Sequence, residues 1–240
     1  MESKINRYSK QLILINSFFI LAWLVVSVFP FIWTFWGSFK VKADFFSRAD
    51  WMFAVTGVNT LIETGDTSTV KAYVESWTEG EFWKATMNTI IITVSVVTIS
   101  LFLGTLGAYA LSRSTYKYTF WILIAALIFR AMPHITLVSG YLFPFFQLNV
   151  WGILPTTIIV LVAINQPFTL WLLYSFFKTV PKELDESALI DGCSYFQAFR
   201  FVIMPVMWPG VVTAGLFSMM LAYNDFTVTS LLLNQQNYTM

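Results

Sequence analysis

Between Gln11 and Phe39 the chain carries not one charged side chain, and from Leu12 to Trp36 almost every residue is apolar. A run of that length constrains the fold more than any other feature of the sequence. A helix needs roughly 20 apolar residues to cross the hydrocarbon layer of a membrane, and a stretch that is apolar on every side has no water-facing stripe. The pattern recurs along the chain. Spans are expected at 12–36, 85–112, 118–146, 152–177 and 201–224, the second of them again without a charge. In lipid each backbone N–H and C=O must be satisfied within its own segment, so such spans are helices. Composition agrees, because only 11% of residues are charged against about 25% in soluble domains. The fold class expected is an all-α integral membrane protein. The first span is too long for a cleaved signal peptide, and no small-residue cleavage site follows it.

The segments between spans carry the polarity. Residues 40–84 are polar and acidic, punctuated by Gly57, Gly65 and Gly80, and read as one exposed loop or small cap. A short basic turn follows at 113–117, and 178–204 is a long polar connection. Positive charge sets orientation. With residues 1–10 in the cytoplasm, the inner segments hold Lys4, Arg7, Lys10, Arg113, Lys117, Lys178, Lys182 and Arg200. The outer ones hold Lys40, Lys42, Arg48, Lys71 and Lys84, all in the long loop, where the rule is weakest. Eight against five favours a cytoplasmic N-terminus and puts 178–204 on the cytoplasmic side.

That connection has a readable local structure. Pro181 suits the first turn of a helix, and Val180, Leu184 and Ala188 recur at four-residue spacing as one apolar stripe. Glu183, Asp185 and Glu186 sit in the early turns, where carboxylates favour the helix dipole. Gly192 fits the left-handed stop after a helix. Ser194 followed by Gln197 has the spacing of a capping box that opens a second helix, and Pro205 and Pro209 mark the return to the membrane. The product is helix, glycine turn, helix, with a small-residue patch at Ser187 and Ala188. Two readings are open on physics alone, a docking knob for another protein or an amphipathic loop lying on the bilayer.

The spacing here resembles the EAA loop of ABC importer permeases, whose pattern is Glu-Ala-Ala, three residues, Gly, nine residues, Ile-x-Leu-Pro. This chain has Glu186-Ser187-Ala188, three residues, Gly192, nine residues, Val202-x-Met204-Pro205. Ser187, Val202 and Met204 depart from the pattern, each mildly in size. Collinear patches are similar to the maltose-transporter-type carbohydrate permeases. These are Val28 to Trp33 with Ser38-Phe39-Lys40, Asn88-Thr89-Ile90-Ile91, Gln166-Pro167-Phe168, Trp171-Leu172, Phe176-Phe177, and Tyr223-Asn224-Asp225-Phe226. The resemblance implies a type I permease domain over 11–240, with five spans of an expected six, acting by alternating access as half of a channel for a sugar, polyol or similar solute. It implies that Glu186, Ser187, Ala188, Asp191 and Gly192 face an ATPase subunit and that Pro205 restarts the span. It also implies the partners: two ATPase subunits, a second and different permease chain, and a periplasmic or lipid-anchored solute-binding protein, in a bacterial inner membrane. ATP and Mg would then reside on the ATPase subunits, with no cofactor on this chain.

Charged and polar residues inside spans are costly and mark candidate sites. Arg130 and His134 are four apart and share a helix face. They read either as gate or path residues, or as a snorkelling arginine beside a histidine in a helix–helix hydrogen bond. Asn88, Asn165 and Gln166 read equally as hydroxyl-binding groups of a solute path or as interhelical glue.

Other classes find little support. There is no phosphate-binding Gly-x-x-x-x-Gly-Lys-Ser/Thr loop, and one His with one Cys, Cys193, is too poor a set for a metal cluster. Basic residues are too scattered for nucleic acid. An ion-driven secondary transporter would need intramembrane acids or broken half-helices in repeated halves, yet no Asp or Glu falls in the second to fourth spans. A non-transporting scaffold has no use for the loop spacing. An importer of a non-carbohydrate solute remains the alternative within the class.

Overall fold

A computed structural model of the chain describes residues 2–38 and 68–233. Most of the expected outer loop (39–67) and the stretch at 234–240 lie outside the described residues. The chain divides into two units, Met1–Gly80 and Glu81–Met240.

In the first unit, α1 spans Glu2–Gly37. Its apolar window at Leu12–Phe35 has no buried residue, with Trp23 and Phe31 among the most exposed side chains. A helix apolar on all sides and enclosed by none of the described residues matches a lipid-surrounded span. The second helix, α2, covers Ser68–Thr78, so the stretch read as loop to residue 84 is partly helical. Val-Lys-Ala-Tyr-Val-Glu carries no Gly or Pro to stop it.

The second unit is built on three long helices: α3 (Phe82–Arg113), α6 (Leu154–Thr179) and α8 (Tyr195–Tyr223). Small residues let their backbones approach. Thr89, Thr93, Ser100, Gly104, Ala108 and Ser112 form a buried stripe along α3, the small-residue pattern by which membrane helices pack. A Cβ added at Gly104 would lie 3.0 Å from the Thr169 side chain and 3.2 Å from that of Leu173 on α6. One added at Gly210 on α8 would lie 2.8 Å from the Phe176 ring. Two apolar clusters fill the unit. One gathers Ile92, Val96, Val138, Val160, Ile164 and Leu232. The other gathers Leu173, Phe177, Val180, Ile203 and Met207 at the end that carries 178–204.

The third span expected over 118–146 is two helices, α4 (Tyr118–Ala131) and α5 (His134–Gln147), bent by 90°. Pro133 is the cause. It forces the preceding Met132 into extended backbone at ψ 140° and cannot donate to continue the helix. Among the described residues, four helices are long and apolar enough to cross a membrane, with a fifth span if the bent pair counts as one. The last described helix is α9 (Phe226–Leu232), which is held to the start of α6: Gly152 N–H donates to Leu232 O at 3.1 Å, and the Trp151 indole donates to Leu231 O at 3.1 Å.

Candidate functional site

Helix α7 (Glu183–Ile190) stands at the end of the bundle between α6 and α8. It begins one turn-residue later than proline placement suggests, with Lys182 at the N-cap and Pro181 just before it. Its stop is a complete left-handed cap. Gly192 has φ +88°, its N–H donates to Leu189 O at 3.1 Å, and Cys193 N–H reaches back to Ala188 O at 3.0 Å. Those two bonds satisfy the last carbonyls of α7. No atom lies within 4 Å of a Cβ added at Gly192, so the glycine is required for its dihedral angle and not for space. The capping box forms as expected: Gln197 N–H donates to Ser194 Oγ, and Ser194 N–H donates to Gln197 Oε1.

The second helix of the loop does not end at Pro205. It runs from Tyr195 unbroken to Tyr223, with Ala198–Ile203 wound as a π-helix. In ordinary α-winding the Pro205 ring would collide with the carbonyl of Phe201, and the wider turn lies where that collision would occur. Pro205 therefore sits inside a continuous helix and does not restart the span.

The faces of α7 are sharply divided. Val180 and Leu184 pack in the apolar cluster, and Ala188, one turn further along the stripe, is buried at only 5% exposed. Ala188 is thus packing, not outer surface. The opposite face presents Glu186, Ser187, Asp191 and Gly192 around Ile190, which is 85% exposed. Tyr195 and Phe196, beyond the turn, are exposed too. An apolar tip with an acidic rim, on a turn capped at both ends, is a rigid projection suited to a complementary pocket.

An ionic anchor holds this projection, built from Arg113, which the sequence shows only as an orientation charge, Asp185, which it shows only as a helix-dipole carboxylate, and Tyr109. Arg113, the last residue of α3, places Nε 2.8 Å from Asp185 Oδ2, with the two side chains 16% and 13% exposed. Its Nη1 donates to the carbonyls of Phe177 (3.2 Å) and Val180 (3.1 Å), at the end of α6. The Tyr109 hydroxyl donates to Asp185 Oδ1. Tyr109 itself packs against Phe177 and Phe199, with ring centroids 5.7 and 4.8 Å away. A basic residue ending a span looks like an orientation charge, and its partner lies 72 positions along the chain (185 − 113), so no local signal points to the pair.

The candidate path residues fall into separate places. Asn165 donates through Nδ2 to Ser218 Oγ, joining α6 to α8. Asn88 is half-buried on α3. Gln166 lines an apolar groove with Phe129, Tyr141 and Pro167, and its buried Oε1 has no hydrogen-bond partner among the described residues. Arg130 and His134 do come together, across the bend: Arg130 Nη1 lies 3.3 Å from His134 Nε2, and His134 Nδ1 lies 3.2 Å from Asp225 Oδ2. A guanidinium only donates, so Nε2 accepts and the ring proton sits on Nδ1, facing the carboxylate. The other Asp225 oxygen accepts from Val228 N–H at 2.9 Å and caps α9. Arg130 also lies 5.8 Å from the Phe168 ring.

Comparison with known proteins follows from this architecture. Residues 100–240 match the family described as binding-protein-dependent transport system inner membrane component. This chain belongs to that family. The family is one of transport permeases, not enzymes, embedded in the membrane by several helices. The chain is 29% identical over 218 residues to the diacetylchitobiose uptake system permease protein NgcG of Streptomyces coelicolor, covering 86% of this chain and 65% of that one. It is 31% identical over 220 residues to the trehalose/maltose transport system permease protein MalG of Thermococcus litoralis, covering 90% and 73%. The permease thus spans about two thirds of the length of such relatives. Its fold matches a chain from the crystal structure of a bacterial ABC transporter involved in the import of the acidic polysaccharide alginate, with TM-score 0.73 and 21% identity, over 93% of this chain and 75% of that one.

Proposed function

We propose that this permease forms one half of the translocation path of an ATP-driven importer for a sugar or sugar-like solute, and that α7 is its docking element for an ATPase subunit. The observation that carries the proposal is the divided α7: an inward stripe rooted in the bundle and an outward Ile190 ringed by acidic and small residues. A projection meant to lie on a bilayer would turn its apolar stripe toward the lipid, whereas here that stripe is packed inside the chain. Relatives named for diacetylchitobiose and for trehalose/maltose uptake support a carbohydrate. ATP and Mg then reside on separate ATPase subunits, because this sequence has no phosphate-binding loop. A second permease chain and a solute-binding protein complete the assembly. The excess of Lys and Arg at 1–10, 113–117 and 178–200 supports a cytoplasmic N-terminus, with α7 on the same side.

Among the polar span residues, Gln166 is the one we assign to the solute path. Its unpartnered carbonyl oxygen lies in a groove beside Tyr141 and Phe129, and hydroxylated solutes supply donors. Asn165 joins α6 to α8 through Nδ2; its buried Oδ1 also has no partner among the described residues, but Asn165 does not line that groove, and Arg130 and His134 are engaged with each other and with Asp225. The test is purification from the native membrane with identification of every co-purifying polypeptide. An ATPase chain, a second permease and a binding protein are expected. A chain recovered alone that drives ion-dependent uptake in vesicles refutes the reading.

A further inference from the structure

Docking alone does not move a membrane helix. A force applied to a projection reaches the span only through contacts that do not slip, and the packed stripe under α7 is short, since Ala188 contributes a single methyl group. The anchor of Tyr109, Arg113 and Asp185 supplies a different kind of contact. Arg113 is the last residue of α3 and leaves its own helix to meet two others. Its Nη1 donates to the carbonyls of Phe177 and Val180, so the guanidinium caps the end of α6. Its Nε pairs with Asp185 in the first turn of α7. Asp185 is held on its other oxygen by the Tyr109 hydroxyl, one turn back along α3. One side chain therefore ties three helix ends, and the carboxylate it meets is gripped twice from the same helix.

We propose that Tyr109, Arg113 and Asp185 are positioning residues that lock α7 to the ends of α3 and α6, so that displacement of the docked α7 enters those two membrane helices as one rigid-body motion. The proposal rests on α7 being the docking element. The physics favours rigidity. Both ionic side chains are mostly enclosed, so water and salt screen the pair far less than they would at the surface. The planar guanidinium takes its direction from the two carbonyls that Nη1 bonds, and its Nε meets Asp185 as a close charge contact, an arrangement a lysine ammonium does not reproduce. Tilted contacts of the Tyr109 ring with Phe177 and Phe199 restrain the hydroxyl that completes the grip. Only interactions with discrete, over-determined arrangements carry coupling between distant sites.

The experiment uses the complete importer in proteoliposomes and reads solute uptake per ATP hydrolysed. Asp185→Asn keeps the side-chain volume and removes the charge that Nε meets, and Arg113→Lys keeps the charge and removes the guanidinium that bonds the α6 carbonyls. Both are expected to co-purify with the ATPase subunit and to hydrolyse ATP, while uptake per ATP falls by roughly 5- to 150-fold, the range of a typical coupling free energy between two sites. Asp185→Glu is expected to recover part of it. Assembled Asp185→Asn and Arg113→Lys importers that transport within twofold of the parent overturn the proposal.

A second measurement leaves the anchor intact. With Cys193 replaced by serine, spin labels at Lys182→Cys and Ser114→Cys, the N-cap of α7 and the C-cap of α3, report the distance from α7 to the end of α3. That distance is expected to stay constant between the nucleotide-free and ATP-trapped importer, and a shift beyond the label spread overturns the rigid-body assignment even where the anchor variants fail to fold. Ile190→Asp separates the two readings. If it leaves the ATPase subunit bound, α7 is not the docking element. If it releases the subunit while the anchor variants couple normally, docking stands and the anchor proposal fails.

Discussion

Ile190 separates docking from folding. The side chain is 85% exposed at the tip of α7, so truncating it to alanine removes almost no contact within the chain, and surface changes of that kind alter stability by about 0.5 kcal/mol or less. Seated in a pocket of an ATPase subunit, the same side chain would bury nearly all its apolar area. Full burial of an isoleucine is worth about 1.5–3 kcal/mol at roughly 0.8 kcal/mol per methylene. Alanine keeps one of the four side-chain carbons, which leaves a loss of about 2 kcal/mol. At 1.4 kcal/mol per tenfold, that is roughly a thirtyfold weaker Kd. The assay is titration of the detergent-solubilised permease with its ATPase subunit, alongside a thermal unfolding curve for each variant. The control is Ile159→Ala on α6, which is 65% exposed in a span and should change neither quantity. An Ile190→Ala permease that binds within twofold of the parent, with an unchanged Tm, refutes the reasoning. A lowered Tm would mean that Ile190 supports the fold and that its exposure has been misread.

Three further outcomes are expected. At Gly192 the cost is set by φ +88° with no neighbour in reach, so Gly192→Asn should lose little and Gly192→Ala about 1–2 kcal/mol; docking affinity should follow that order, and equal losses would point to a contact instead. His134→Ala leaves Asp225 and Arg130 without their bridge and should lower stability by about 1–3 kcal/mol, seen as a lower Tm in detergent, with His134→Asn recovering part of it. Gly210→Ala drives a methyl into the Phe176 ring at 2.8 Å and should cost about 1–3 kcal/mol. Gly140→Ala, with nothing within 4 Å, should be neutral or slightly stabilising; a reversed order of Tm values would contradict the packing of α8 on α6.

What the sequence determines by itself is whatever depends on neighbours a few residues away. Span lengths follow from uninterrupted apolar runs, because every backbone group in lipid must bond within its own helix. The α7 turn follows from Gly192 and from the Ser194–Gln197 pair, because both caps close over five residues or fewer. Even the inward stripe is a local pattern, although which side of it would face out is not: Ala188 belongs to a docking motif by spacing and to the core by packing. Proline in a membrane helix is ambiguous for a similar reason. Pro133 breaks its span by 90°, whereas Pro144, Pro167 and Pro209 remain inside helices, since neighbouring helices decide whether freed carbonyls are tolerated. The tertiary structure alone decides the pairings. Arg113 meets Asp185 and His134 meets Asp225 across 72 and 91 positions (185 − 113; 225 − 134). A charge in a sequence shows its cost of burial but not the partner that offsets it, and that partner is chosen by how three helices pack.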